Sequence, residues 1–443
     1  MRRDRIGMRD GSTRENWKVV PLAADPAAVL ITEDTPGVSL SDPAIEALPG
    51  GRVVLAVNQL GPGVKNLPGR KGHNPHFKHQ HQGRVFTSND GGRTWTFRAT
   101  FPFGGARLLR DGSTLYLLGD NGSLEIASSL NGGQTWTEPD HLTSRVEAQC
   151  CYVHTPTEAA RAGGYLRVPA MRITDLGCRG GFDHVHAAVV LRAREGSNLS
   201  QAKNWTFSEP VVPFREFATA QDGGGFGIPF YRLASPVRGE AVAHQRWAGH
   251  IGWHDPHLVQ IRDPAHYWHD PSGRTFHLLA AAATHRSNVA ALAKVVEEAD
   301  GRMTLMPETT PAGNRVVFLP LPGGNLKFHI VYDEPSNLFW LISHQVADSM
   351  TRAERLPPHR QGLPCDEDGR LQLHFSRNLV DWRFAGLVAA AADAGGFNAH
   401  PTMAVKGGDL HVAWLAGHSA HGAHHPTRLM FSVIAGFRDL AYG

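Results

Sequence analysis

The sequence predicts an all-β protein that folds as a six-bladed β-propeller with four-stranded antiparallel blades. The chain has 443 residues, of which 48 are Gly, 29 are Pro and only 19% are charged, a turn-rich composition. A hydrophobic content of 41%, with 20 Phe and 10 Trp, is sufficient for a large core and excludes wholesale disorder. A turn sequence that recurs after about 40 residues, and six successive sets of strand-like segments, indicate the propeller architecture.

The recurring turn has two close copies. Residues 88–95 read SNDGGRTW and residues 129–136 read SLNGGQTW, and each copy lies at the tip of a predicted hairpin. The Asp90 or Asn131 side chain can bond backbone amides of the turn, the glycines tolerate positive φ, and the Trp can pack on a neighbouring sheet. Two weaker copies follow at residues 197–205 and 376–382.

Strand-like segments divide the chain into six units of about four strands. The predicted units are residues 42–100, 103–140, 148–210, 253–310, 326–388 and 398–434. The last unit has three evident strands, and a strand within about residues 17–31 is expected to complete it and close the ring. The stretch 213–252 fits no blade and is predicted to be an insertion. Residues 1–443 are therefore interpreted as a single propeller domain.

The repeated turns match the S-x-D-x-G-x-T-W pattern of the Asp-box, or BNR repeat. With them, the chain resembles the sialidase-like β-propeller superfamily. The segments LSDPAIEALPGGRVVLAVNQLGPG, PGGNLKFHIVYD and LMFSVIAGFRDL also resemble bacterial sialidase-like proteins of unassigned activity. The resemblance covers nearly the whole chain and implies a carbohydrate-active enzyme. One fold hosts many functions, so the activity has to be argued from the site.

Charge, hydropathy and cysteine content exclude several classes of protein. A net charge of +3 with dispersed Lys and Arg argues against nucleic-acid binding. No apolar run is long enough for a membrane span. The basic start lacks the apolar stretch of a signal peptide, which predicts a cytoplasmic protein, or a secreted or periplasmic one if a leader has been removed. The four cysteines have no CxxC spacing and are expected to be ordinary thiols.

The chain contains 26 His, an unusually high number. In a propeller, the loops between second and third strands and the starts of the first strands surround one end of the central channel, where ligands bind. Many of the histidines map to that end. Some are expected to be solvated loop residues. The motifs HxxHxxHxH at residues 73–81 and HxxHH at residues 421–425 suggest a divalent metal site as a second hypothesis.

A third hypothesis makes the histidines catalytic, since an imidazole near the channel can act as a general acid or base. Asp255 is the best-placed proton donor for hydrolysis, although an Asp before Pro is also a common turn cap. The candidate catalytic residues are His154, His254, Asp255 and His400.

Basic side chains at the same end are candidates for binding the substrate, a glycan or oligosaccharide. Lys327 is expected to have a carboxylate nearby, because a buried lysine without a partner is costly. The candidate substrate-binding residues are Arg172, His285, Arg286, Lys327, His421 and Arg428.

Three functions remain open. The first is an exo-acting glycoside hydrolase that removes a terminal or acidic sugar, although VSLSDPAI stands where true sialidases carry a Phe-Arg-Ile-Pro motif. The second is a polysaccharide lyase in which a His or Tyr removes the proton next to a carboxylate that Arg or Lys neutralises. The third is a glycan-binding propeller without catalysis.

Overall fold

The computed structural model describes ten segments of the chain. They are residues 20–73, 80–144, 151–153, 156–173, 186–209, 253–281, 288–345, 367–392, 395–418 and 425–442. Apart from one two-stranded hairpin, their strands form six antiparallel sheets that follow one another along the chain and are arranged in a ring. The predicted six-bladed β-propeller is therefore confirmed, with one sheet as each blade. The predicted insertion at residues 213–252 lies outside the described residues.

The first strand, β1, spans Ala27–Ile31 and belongs to the last blade. Blade 1 contains β2 (Ser39–Ala47), β3 (Val53–Leu60), β4 (His81–Ser88) and β5 (Thr96–Phe101). Blade 2 contains β6 (Gly104–Asp111), β7 (Thr114–Asp120), β8 (Leu124–Ser129) and β9 (Asp140–His141). Blade 3 contains β10 (Cys151–Val153), β11 (Ala160–Ala162), β12 (Tyr165–Ile173), β13 (His186–Arg194) and β14 (Trp205–Phe207).

Blade 4 contains β15 (His254–Val259), β16 (Thr275–Ala281), β17 (Val289–Glu297) and β18 (Met303–Met306). A hairpin of β19 (Glu308–Thr309) and β20 (Arg315–Val316) follows β18. The next strand, β21 (Phe318–Pro320), pairs with β17 and is a fifth strand of the blade 4 sheet. Blade 5 contains β22 (His329–Asp333), β23 (Leu338–His344), β24 (Arg370–Ser376) and β25 (Arg383–Ala390). Blade 6 contains β26 (Gly396–Lys406), β27 (Asp409–His418), β28 (Pro426–Ile434) and β1. Short 3-10 helices span Pro49–Gly51, Pro62–Asn66, Ala202–Asn204 and Phe437–Leu440.

The middle strands are apolar because each blade is covered on both of its faces. The strand β3, VVLAVNQL, is buried at every position except its last, whereas the outer strand β5 is largely exposed or half-buried. Each of six apolar clusters lies between two successive blades, and the cluster with Leu55 and Phe431 joins blade 6 to blade 1. The core of the molecule is therefore a ring of inter-blade packing.

Blade 6 is completed by the first strand of the chain. The strand β1 runs antiparallel to β28, with Ala27 opposite Phe431 and Ile31 opposite Arg428. Pairing the first strand with the last one closes the ring by hydrogen bonds and covers an edge that would otherwise be open.

The repeated turns join third strands to fourth strands, at the end of the channel that we call the turn end. Between β4 and β5, the Asp90 carboxylate accepts a hydrogen bond from the Thr94 backbone N–H at 2.9 Å. The Trp95 indole donates to a carbonyl of the same turn at 3.0 Å. Asn131 and Trp136 make the corresponding contacts between β8 and β9.

Gly92 in the first of these turns is expected to be irreplaceable. Its φ is +93°, and a Cβ at this position would lie 1.9 Å from Cε1 of Phe431. The Trp95 ring packs edge-on against Phe431 with centroids 5.1 Å apart, so this contact joins blade 1 to blade 6. We expect Gly92→Ala to lower the free energy of unfolding by about 1–3 kcal/mol through overpacking, measured by chemical denaturation.

The neighbouring glycine supplies a matched control. Gly91 also has a positive φ, +77°, but a Cβ there would meet no atom within 4 Å. Gly91→Ala carries the backbone strain without the clash, so equal destabilisation by both variants would show that the contact with Phe431 is unimportant.

Candidate functional site

The first strands of three blades each contain one residue with an unusual backbone conformation. Asp42, Asp255 and His400 have φ of 51°, 47° and 50°, and each is followed by proline. Each lies within a register shift between the first and second strands of its blade, as in a β-bulge. Blade 2 has the same register shift around Gly105, where a φ of 55° is unstrained because glycine has no Cβ. Left-handed residues with side chains cost about 1–3 kcal/mol each and concentrate at functional sites.

The bulges bring together side chains from four blades. The Lys327 ammonium, which precedes β22, lies 2.5 Å from Oδ1 of Asp42 and 3.3 Å from Oδ1 of Asp255. The Asp42 backbone N–H donates to Nδ1 of His400 at 3.2 Å. We call Asp42, Asp255, Lys327 and His400 the axial cluster. It lies at the end of the channel opposite the turn end, and it supplies the carboxylate expected beside Lys327.

The pKa values of the two carboxyl groups of the axial cluster are shifted in opposite directions. Burial opposes ionisation of Asp42 most strongly, but Lys327 and His400 outweigh it and lower the pKa of Asp42 to about 2. Burial is also the largest influence on Asp255, and there it prevails over Lys327, so the pKa of Asp255 is raised. Carboxyl pairs whose pKa values are pushed apart divide the roles of base and acid in active sites.

Lys327 and His400 differ in charge. Burial disfavours the ammonium of Lys327, but Asp255 and Asp42 together outweigh this effect and raise its pKa. Burial, followed by the Lys327 charge, lowers the pKa of His400 to about 3. The His400 ring is therefore neutral at pH 7. Because its Nδ1 accepts a hydrogen bond, its proton is on Nε2, where it can donate to a ligand.

Three other predicted site residues lie in the described segments, His254, Arg172 and Arg428. His254 is the neighbour of Asp255 in the chain, and its ring lies 5.5 Å from that of His186. Arg172 is half-buried on β12, opposite Tyr152. Arg428 is 49% exposed and pairs with Glu33 at 2.6 Å, so the structure does not bring it to the axial cluster. The remaining predicted residues lie outside the described segments: His154, His285, Arg286 and His421.

Asp42 is a member of the axial cluster that sequence reasoning missed. Its signal is present in the sequence, because Ser41-Asp42-Pro43 has the same form as His254-Asp255-Pro256 and Ala399-His400-Pro401. A proline that follows a polar residue at the start of an inner strand marks each bulge. Comparing the starts of the six predicted units for this dipeptide would have found it.

A second pair of carboxyl groups lies towards the turn end. Burial, and then the neighbouring Glu158 carboxyl, raise the pKa of Glu46 to about 8. Arg110 lies 3.5 Å from Glu46, and the Arg161 charge acts on both carboxyl groups. This pair lacks the left-handed backbone and the shared ammonium of the axial cluster, and we use it below as a control.

A cavity of about 550 Å³ also opens at the turn end. Its lining includes Arg52, Asn89 and Arg110. Arg52 is already bonded to Asn89 at 2.7 Å, which ties adjacent turns together. The cavity is therefore not the site of the chemistry argued from the axial cluster.

The predicted metal site falls mostly on residues that the structure does not describe, including His76, His79 and His424. Within the described segments, no group of three or more potential metal-ligating side chains occurs. Those segments also include no helix long and apolar enough to cross a membrane.

Comparisons with known proteins agree with the propeller fold. Protein-family models give no match, and a search of curated proteins finds no similar sequence. A Trypanosoma rangeli sialidase in complex with 2,3-difluorosialic acid has a TM-score of 0.51 and 11% identity, over 96% of this chain and 61% of that chain. The GH93 α-L-arabinofuranosidase of Fusarium graminearum, in complex with arabinobiose, has a TM-score of 0.50 and 9% identity, over 94% of this chain and 98% of that chain.

A protein of unknown function from Dyadobacter fermentans has a TM-score of 0.50 and 13% identity, over 93% of this chain and 98% of that chain. The chain thus spans about three fifths of the trypanosomal sialidase and nearly all of the other two proteins. At such low identity these similarities define the fold, a β-propeller of the kind seen in sialidases and in GH93 glycosidases.

Proposed function

We propose that the protein is an exo-acting glycoside hydrolase and that the axial cluster is its active site. The observation that carries the proposal is the carboxyl pair, Asp42 and Asp255, which share one ammonium and have pKa values shifted in opposite directions. Most glycosidases use one protonated and one ionised carboxyl group on either side of the scissile bond. The similarity in fold to a sialidase and an arabinofuranosidase supports a sugar substrate.

Each member of the axial cluster has a role in this mechanism. Asp255, whose pKa burial raises, gives its proton to the leaving-group oxygen. Asp42, kept ionised, attacks the anomeric carbon and forms a glycosyl ester. A water molecule then hydrolyses the ester, with Asp255 acting as the base. The Lys327 charge holds both carboxyl groups in place, and Nε2 of His400 donates a hydrogen bond to a sugar hydroxyl.

The spacing of the carboxyl groups predicts the stereochemistry. Both Oδ1 atoms contact the Lys327 nitrogen, at 2.5 Å and 3.3 Å. They are therefore no more than about 6 Å apart, as in retaining glycosidases and below the separation that inverting enzymes need.

Elimination receives less support from the same residues. A lyase needs a base strong enough to remove a carbon-bound proton, and an imidazole whose pKa is about 3 is a weak base. Arg428 is also a poor candidate for binding the carboxylate of an acidic sugar, because its charge is already paired with Glu33.

Product analysis tests the proposal. The protein is incubated with arabinofuranosides, sialosides and uronic-acid oligosaccharides, and proton NMR follows the first anomer released. Release of a terminal sugar with retained configuration is expected. An unsaturated uronate would instead establish the lyase, whereas affinity for a glycan without turnover would establish a binding protein.

The pH dependence of kcat/KM is expected to be bell-shaped. Activity should fall as the pH drops towards about 2, because Asp42 becomes protonated. It should also fall as the pH rises through the raised pKa of Asp255, because the acid loses its proton. In Lys327→Met the acidic limb should move to higher pH, since Asp42 loses the charge that stabilises its ionised form. A rate that keeps rising into alkaline solution would contradict these roles.

A further inference from the structure

A chain of buried hydrogen bonds from two other blades ends on the peptide that follows Asp255. Arg107 of blade 2 donates to the Thr157 hydroxyl of blade 3. That hydroxyl donates to the carbonyl oxygen of Pro256 in blade 4 at 2.9 Å. Arg107 and Thr157 are 2% and 5% exposed, so neither can exchange these partners for water freely.

The carbonyl oxygen of Asp255 itself accepts a hydrogen bond from His257. Nδ1 of His257 lies 3.0 Å from this oxygen and donates its proton to it. The imidazole is 1% exposed, and it stacks on the Phe328 ring at 4.8 Å between centroids. Phe328 follows Lys327 in the chain, so the same packing links the positions of Asp255 and Lys327.

These contacts act on a strained segment. Asp255 has a left-handed φ of 47° and stands before a proline, which supplies no N–H. A strained residue persists only where its surroundings determine its conformation fully. The carbonyl oxygens of both Asp255 and Pro256 are held by buried donors, which blocks rotation of this segment towards an extended strand.

We propose that Thr157, supported by Arg107, is a positioning residue that keeps the Asp255 carboxyl aimed at Lys327 in the channel. Thr157 reaches the site only through the Pro256 carbonyl. Without its hydroxyl, the segment relaxes and the carboxyl moves away from the reacting atoms. A proton donor displaced by about 1 Å can lose about 100-fold in rate. This inference rests on the proposed role of Asp255.

The test compares valine and serine at position 157 in the full-length protein. We expect Thr157→Val to lower kcat about 10- to 100-fold with little change in KM, and to shift the basic limb of the pH profile that reports Asp255. Thr157→Ser, which keeps the hydroxyl, should restore both. Thr87→Val is the matched control, because Thr87 is also buried and also accepts a hydrogen bond from an arginine, Arg98 at 2.7 Å, but lies on β4.

A crystal structure of each variant gives a readout that is independent of activity. In Thr157→Val, the φ of Asp255 or its distance to Lys327 should change, while Thr87→Val should leave both as they are. If Thr157→Val does not fold, Thr157→Ala is measured in the same way. The inference would be overturned if Asp255 does not move in Thr157→Val and if the kcat and pH profile of Thr157→Val equal those of Thr87→Val. If the wild-type protein cleaves no glycoside, the proposed function fails, but the crystal structures still test the positioning.

Discussion

The Asp42→Asn variant is expected to lose nearly all turnover of glycosides, with kcat lower by about 10⁴-fold or more. Asp42 is ionised because the Lys327 charge outweighs the effect of burial, and its pKa is lowered to about 2. Asparagine has nearly the same size, but its amide does not attack an anomeric carbon and gives Lys327 no negative charge. Steady-state kinetics on an aryl glycoside measure the loss, and circular dichroism checks the fold.

Glu46→Gln is the control for this experiment. Like Asp42→Asn, it removes a carboxyl group, but this one has a raised pKa and lies towards the turn end of the channel, so kcat should be unchanged. Azide added to Asp42→Gly should restore cleavage and yield a glycosyl azide, because the small anion takes the place of the missing carboxylate. Substantial turnover by Asp42→Asn, or a loss in Glu46→Gln of the same size, would show that Asp42 is not the nucleophile.

The loss of activity in the Asp255→Asn variant is expected to depend on the leaving group of the substrate. On an oligosaccharide, kcat/KM should fall about 10²- to 10⁴-fold, because the departing alkoxide needs the proton that Asp255 supplies. On a glycoside with an acidic phenol as leaving group, the loss should be much smaller, since that group departs as an anion. The basic limb of the pH profile should disappear as well. Kinetics on both substrates, over a range of pH, measure these effects.

Equal losses on the two substrates would contradict the assignment of Asp255 as the proton donor. They would point instead to a general role in substrate binding or in the folding of the bulge. The melting temperature tests the second possibility, because Asp255→Asn keeps the proline that follows and only replaces the carboxyl group by an amide.

The architecture was predictable because it depends on local patterns. Turns such as residues 88–95 and 129–136 form their hydrogen bonds within eight residues, and buried strands such as β3 read as apolar runs. Because these features recur along the chain, the number of blades could be counted from the sequence. Each predicted unit covers the strands of one blade, except that the fourth strand of blade 6 is β1, from the predicted region 17–31, and that β21 lies beyond the fourth unit.

The site was predictable only in part. Asp255, Lys327 and His400 were predicted from their positions at the starts of inner strands, and Lys327 from its need for a carboxylate. Asp42 was missed because the ion pair with Lys327 joins residues 285 positions apart. Arg428 was assigned to the substrate because its partner, Glu33, is 395 positions away and gives no local signal.

The pairing of β1 with β28 has a consequence for how the protein is made. Ala27 leaves the ribosome long before its partner Phe431, so β1 cannot pair until the segment around Phe431 has been synthesised. The side chains of the axial cluster come from blades 1, 4, 5 and 6, and the ring that contains these blades closes only when β1 pairs with β28. The appearance of activity during translation would therefore report the moment at which the circle is completed.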